Sequence, residues 1–385
     1  MERAHLVVMK VCFALGILAL SSAVVGGAIS NQVAQLPRES PSSSEISQER
    51  MRAIYEEVKT PYKYGIVLEP SAGKKVDCPN VFRYEGRWYM TYVQFENNPP
   101  GYTTQLAESD DLLHWKSLGT ILPRGRPGTW DSANAGGGVA LFDTDWGGCN
   151  ELQRFKNRYW LSYMGGPNPG YEKPPLSIGI VITTDPSKTN NWRRFPLPVL
   201  CHSDTNARPF EAASLYDSCV FFDPSNSLGA PFVMVYNARS PNGDENIGLA
   251  VSKYLKVWKR IGDEPVVANV RPQGLKRGVI SGSPQVVRIN DLWVMFYYGA
   301  FWKPGTFNTF AASRDLTNWT KWDGEALIQP SEPWDTPTAY KPWVIKHNGV
   351  VYHFYGAVSG RGKEQTCAIA LATSKDLRPS VAPTK

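Results

Sequence analysis

The 385-residue sequence predicts an all-β protein, a five-bladed β-propeller with a short N-terminal helical extension. Three observations predict it. After Tyr64 one unit recurs five times: an apolar strand, a turn built from Gly, Asn or Asp, a Tyr-rich strand, a small-residue strand and, in the complete copies, a Trp-containing strand. The copies recur every ~50–65 residues and each supplies about four strands, which is the pattern of propeller blades. The fifth copy stops before its last strand, as expected if a strand from the N-terminal side, around Gly65 to Leu68, closes the ring.

The elements follow in order. Residues 1–28 combine a short basic lead with the apolar run VCFALGILAL and then small residues, which predicts a signal peptide cleaved near Ala28 and an exported protein. Residues 29–44 are rich in Ser and Pro and read as a flexible linker. Over 45–60, Ile46, Met51, Ile54, Tyr55 and Val58 recur at helical spacing and Pro61 ends the run, giving one amphipathic helix. Its apolar face has two candidate partners, the chain's own main domain or a second copy in a homodimer. The propeller then occupies 61–385, its copies built around NVFRYEGRWYMTYV, ELQRFKNRYWLSYMG, SCVFFDPSNSLGAPFVMVYN, PQVVRINDLWVMFYYG and PWVIKHNGVVYHFYG.

Composition narrows the function. The net charge of +6 comes from Lys and Arg interleaved with acids, so no nucleic-acid-binding patch is expected, and beyond the leader no apolar stretch is long enough to span a membrane. Beyond the leader the cysteines are odd in number and lack metal-ligand spacing, so at least one thiol is free and the others read as small buried hydrophobes. The 13 Trp and 18 Tyr call for extensive packing or for the stacking of sugar rings.

The innermost strand of every blade starts beside the central channel, so residues at that start converge from distant parts of the sequence. Asp77, in KKVDCPNVF, holds this position in the first copy; Glu151, Glu211 with Asp217, Ser283, and Tyr340 with Lys341 hold it in the others. Carboxylates gathered at a channel mouth are the equipment of glycoside hydrolysis, in which one acid protonates the leaving oxygen and another carboxylate activates water or attacks. Asp77, Glu211, Asp217 and Glu151 are the carboxylates available for these parts, and the residues alone do not divide the parts among them. Substrate contacts are expected from Glu151, Asp131, Lys341, Arg208 and His202, with Asp335 a further polar candidate and Trp130, Trp302 and Trp334 as stacking faces. No cofactor is required by this chemistry; converging carboxylates leave room for a structural divalent cation on the channel axis.

VDCPNVFRYEGRWYMTYV followed by LAESDDLLHWKSLG resembles the five-bladed propeller glycoside hydrolases grouped around families 43 and 32, and the region from IYEEVKTPYKYG onward is most similar to family 117. The resemblance implies a general base at Asp77, near Pro79 with Cys78 between, and an acid-tuning role for Asp217 in DSCVFFD. It also implies a general-acid Glu at the start of the fourth blade, where this chain has Gly282, Ser283 and Pro284. Either another carboxylate, Glu211 first and Glu151 second, supplies the proton while Asp77 serves as base, or the chemistry has changed. Family 117 further implies oligosaccharides from algal galactans and dimerisation through an N-terminal helix. The expected function is an exported glycosidase that inverts configuration if its two carboxyls stand about 6.5–9.5 Å apart. The alternative, prompted by the missing fourth-blade acid, is a propeller that binds carbohydrate without turnover. A propeller serving only protein assembly would not need convergent carboxylates.

Overall fold

The computed structural model describes residues 44–378; the expected leader and nearly all of the expected linker lie outside them. The propeller is present, with five four-stranded blades. Blade 5 is completed by β1 (Tyr62–Leu68), which pairs antiparallel with β20 (Thr366–Thr373) beside β19 (Val350–Ser359) and β18 (Pro337–His347), so the ring closes as expected. Blade 1 is β2 (Lys75–Tyr84), β3 (Arg87–Asn97), β4 (Pro100–Ser109) and β5 (Lys116–Leu122). Blade 2 is β6 (Asn134–Ala140), β7 (Tyr159–Gly166), β8 (Ser177–Thr183) and β9 (Arg193–Arg194). Blade 3 is β10 (Ser214–Phe222), β11 (Phe232–Arg239), β12 (Glu245–Ser252) and β13 (Lys259–Arg260), and blade 4 is β14 (Ile280–Ile289), β15 (Leu292–Ala300), β16 (Thr306–Ser313) and β17 (Thr320–Lys321). Blades 3 and 4 touch edge to edge through a single parallel pair, Glu245 with Ile280.

The hairpins follow from local chemistry. Glu85-Gly86 and Asn348-Gly349 both take left-handed φ angles, the two-residue turn whose twist matches that of the flanking strands. Between blades the core is apolar, with Phe82, Leu161, Phe221, Met295 and Phe354 buried on facing sheets.

Blade 2 departs from expectation. Its inner strand is β6, NAGGGVA, not the stretch beginning at Glu151. Three consecutive glycines read as a loop, yet here they allow close approach: a Cβ on Gly138 would lie 1.9 Å from the Asn80 side-chain oxygen, and one on Gly137 2.5 Å from the Ser162 carbonyl. The segment 141–158 that follows runs across the far end of the channel. Leu141 donates to the Val220 carbonyl, Trp146 to that of Arg288, and the Asn150 side chain to that of Lys346, while Arg83 donates to the Asn150 carbonyl. It thereby ties blades 1, 3, 4 and 5 together and closes that end.

Helix α1 (Gln48–Val58), capped by Ser47, buries Met51, Ile54, Tyr55 and Val58 against Ile289, Phe296, Phe310 and Trp322 of its own propeller. Polar contacts anchor it as well: Arg50 to Asp291 at the β14–β15 turn, Tyr55 to Glu325, and Glu57 receiving both Trp146 and Lys346. Of the two candidate partners for this apolar face, the chain's own propeller is the one that covers it here.

Candidate active site

The inner strands of blades 1, 4 and 5 share one device. In Asp77-Cys78-Pro79, Gly282-Ser283-Pro284 and Tyr340-Lys341-Pro342 the ladder slips its register, and the middle residue has φ of 52°, 48° and 53°. A left-handed non-glycine residue costs of order 1–3 kcal/mol and persists where the fold over-determines it. Proline lacks an N–H, so the ladder loses no donor at the slip. The slip turns Cys78, Ser283 and Lys341 into the channel, where they line a narrow cavity of about 30 Å³ with Asp217 and Gly136–Gly138.

Lys341 is the hub. Its Nζ lies 3.0 Å from Asp77 Oδ2 and 2.8 Å from Glu172 Oε1, and it faces the Tyr340 and Tyr171 rings. Asp77 Oδ2 accepts from Tyr340 Oη at 2.8 Å and from Tyr171 Oη at 3.4 Å as well, while Oδ1 is buried without a partner among the described residues. Asp217 accepts from Ser283 Oγ at 2.6 Å and from Cys78 Sγ at 3.5 Å. Among the described residues no group of three His, Cys, Asp or Glu is arranged to hold a metal, and the Lys341 ammonium already bridges two of the channel carboxylates, so the donor set does not fit the divalent cation considered above.

Two carboxylates missed in the sequence complete the mouth. Glu172 stands on the segment between β7 and β8 at φ 45°; burial pushes its acidity toward the neutral form, and Lys341 opposes that. Glu245 opens β12 and is buried, and among the described residues its one close side-chain donor is Asn237 Nδ2, 3.1 Å from Oε2. Burial first, and then the Glu172 charge, pushes Glu245 up to about 7. A Cβ on Gly282 would stand 2.6 Å from Asn237 Nδ2, so the bare fourth-blade position leaves room for the Asn237–Glu245 pair. Neither Glu carried a useful sequence signal: GPNPGYEKPP and NGDENIG both read as surface turns.

Of the residues singled out in the sequence, Asp77, Asp217, Ser283, Tyr340 and Lys341 meet at the channel. The others do not. Glu211 is fully buried in blade 3, ion-paired with Arg260 and accepting from Tyr236 Oη at 2.7 Å and from the Arg208 backbone at 2.7 Å, so it has no free oxygen to offer a substrate. Asp131 is likewise closed by Tyr163 at 2.9 Å, Thr129 and Arg194, and Asp335 by Tyr355 at 2.9 Å and Lys63. Glu151 lies in the closing segment beside Arg83, six residues along β2 from Asp77, roughly 20 Å at strand rise. Arg208 binds the Gly262 carbonyl and Asp263, and half-buried His202 stands outside the cavities at the channel. Trp130 packs on Tyr163, Trp302 on Phe307, and Trp334 against the Ile328–Ala339 cluster; the aromatic walls at the mouth are Tyr171, Tyr340 and Phe95 instead. Cys78, Cys201, Cys219 and Cys367 form no disulfide, and burial pushes all four thiols up, toward the protonated form.

No family model and no curated protein matches the chain. Solved structures do. Two match at 44% identity over 89% of this chain and 99% of theirs, each with a TM-score of 0.81; one is a complex of BT0996 with RGII and the other a glycoside hydrolase. A thermostable family-43 glycoside hydrolase matches at 16% identity over 85% of this chain and 99% of its own, TM-score 0.56. Zg3597, a family 117 glycoside hydrolase from the marine bacterium Zobellia galactanivorans, matches at 13% identity over 82% and 91%, TM-score 0.60. The last two share the fold. The 44% identity over nearly the whole described chain goes further: this protein is a glycosidase and belongs to the glycoside hydrolases.

Proposed function

We propose that the protein removes terminal sugars from oligosaccharides of the RGII type, with Glu245 as general acid and Glu172 as the opposing carboxylate. The observation that carries this reading is the unequal environment of the two acids above a channel closed at its far end. Glu245 has an amide for a partner and sits near 7, so at neutral pH a large fraction carries the proton that the leaving oxygen needs. Glu172 faces an ammonium on one oxygen and keeps the other for chemistry. As the glycosidic C–O bond breaks, its electron pair stays with the leaving oxygen, which takes the Glu245 proton. Glu172 accepts a proton from the water that adds to the anomeric carbon, inverting its configuration.

Asp77, the base in the sequence reading, fits a supporting part better. Its Oδ2 is occupied by three donors, and through Lys341 it fixes where Glu172 stands. The closing segment 141–158 supports attack on a chain end, since a polysaccharide cannot thread through. Export is inferred from residues 1–28. The test is incubation of RGII oligosaccharides with wild type, Glu245→Gln and Glu172→Gln, with products read by mass and by proton NMR within the first minutes. Loss of one terminal residue by wild type alone, released as the opposite anomer, is expected. Internal cleavage would overturn the exo reading, and release as the same anomer would make Glu172 a nucleophile.

A further inference from the structure

Adjoining the channel mouth, between blades 1 and 5, and sharing Asp77, Tyr171 and Tyr340 with it, lies a cavity of about 370 Å³ to which the mechanism above assigns no sugar. This is within the size range of small-ligand sites, about 300–1,000 Å³. Its aromatic wall is Phe95 with the Tyr171 ring set edge to it, and Asp77 and Tyr340 line it as well. Its outer side carries Lys75 and Gln365.

The charges are unequal. The Asp77 carboxylate is answered by Lys341, Tyr340 and Tyr171. Lys75, half-buried, donates to the Gln365 side-chain oxygen at 2.8 Å, and among the described residues no carboxylate pairs with it. Neighbouring Lys74, by contrast, is paired with Glu96. A cavity with an aromatic wall, amide and phenol groups and one ammonium without a counter-charge is built for an anionic ligand with an apolar face.

We propose that this cavity is a subsite for a carboxylate-bearing sugar, a uronic acid unit of the substrate, with Lys75 holding the carboxylate and Phe95 and Tyr171 meeting the ring. The subsite rests on the glycosidase reading of the adjoining channel, since it would hold a sugar next to the one removed. It would make the enzyme selective for branches in which an acidic residue stands beside the scissile bond.

The test is binding, which does not require turnover. The Glu245→Gln protein is titrated with a methyl glucuronide and with the matching methyl glucoside by NMR, beside versions that also carry Lys75→Met or Lys75→Arg. The glucuronide is expected to bind at least tenfold tighter than the glucoside. Lys75→Met should abolish that preference, Lys75→Arg should retain most of it, and high salt should weaken it. Equal binding of the two sugars, binding of neither, or a preference that survives Lys75→Met would overturn the proposal. Hydrolysis of RGII oligosaccharides by the wild-type preparation separates the two readings. Turnover without a glucuronide preference removes the subsite alone, and a glucuronide preference without turnover removes the assigned chemistry alone.

Discussion

Two sets of carboxylates lie within this propeller, and they are built oppositely. The first set, Asp131, Glu211 and Asp335, precedes the inner strands of blades 2, 3 and 5. Each accepts from a tyrosine on the second strand, Tyr163, Tyr236 or Tyr355, and pairs with a cation on the outermost strand, Arg194, Arg260 or Lys63. Each acid thus staples its blade from first strand to last. The second set, Asp77, Asp217, Glu172 and Glu245, crowds the channel mouth, where four carboxylates share chiefly Lys341 and Arg239 as cations. Full pairing holds the first set in structural roles; at the mouth, burial pushes Glu172 and Glu245 toward their neutral forms, which suits them to proton transfer.

The largest effect should separate the sets by what is lost. Glu245→Gln is expected to lower kcat by about 10²–10⁴-fold on substrates with poor leaving groups, the usual range for removal of a general acid, while leaving Tm within a few degrees. Activated aryl glycosides should suffer much less. Glu211→Gln should do the converse. It leaves Arg260 short of its buried partner, with Asp204 as the remaining carboxylate at 3.0 Å, and is expected to cost about 3–5 kcal/mol of stability. Activity per folded molecule should stay near wild type, as measured below the lowered Tm. A loss of chemistry in Glu211→Gln at unchanged stability would erase the distinction.

The second effect is in the pH profile. With Glu245 near 7, kcat/KM should fall as pH rises through about 7, and Glu245→Gln should remove that limb. Stability gives an independent sign. The folded form holds the Glu245 proton more tightly than the unfolded chain, so this group's contribution is complete below the ordinary Glu range. It is lost as pH rises through about 7. Glu245→Gln should therefore gain on wild type in Tm above pH 7 and not below pH 4.

The same contrast explains what was legible in the sequence. The repeat revealed the ring, its closing strand and the channel positions of Asp77, Asp217 and Lys341, because blade starts converge by geometry alone. It could not separate Glu211 from a catalytic acid. The two residues that close Glu211, Tyr236 and Arg260, stand 25 and 49 positions away, and nothing local distinguishes a stapled acid from a free one. Glu172 and Glu245 were hidden for the reverse reason. They stand on an irregular segment and at the start of a third strand, outside the repeat position that focused attention, and only their three-dimensional neighbours single them out. The sequence places the start of blade 2 too late because GGG reads as a loop until the side chains that fill its missing Cβ positions, those of Asn80, Tyr163 and Met164, are known.

The smallest expected effect tests the staple itself. Tyr236→Phe removes one hydrogen bond to a buried carboxylate and leaves the Arg260 pair intact, so a loss of about 1.5–3 kcal/mol is expected. Tyr163→Phe and Tyr355→Phe should cost about the same in their blades, by denaturant unfolding at fixed pH. Blade 4 supplies the control within the same molecule: Tyr297 is buried with no partner for its hydroxyl among the described residues, so Tyr297→Phe removes a desolvated group and should be neutral or stabilising. If Tyr297→Phe costs as much as Tyr236→Phe, the tyrosines matter by packing alone and the acids beneath them are not staples. If it does not, the carboxylates ahead of blades 2, 3 and 5 are held for stability, and the search for chemistry narrows to the channel.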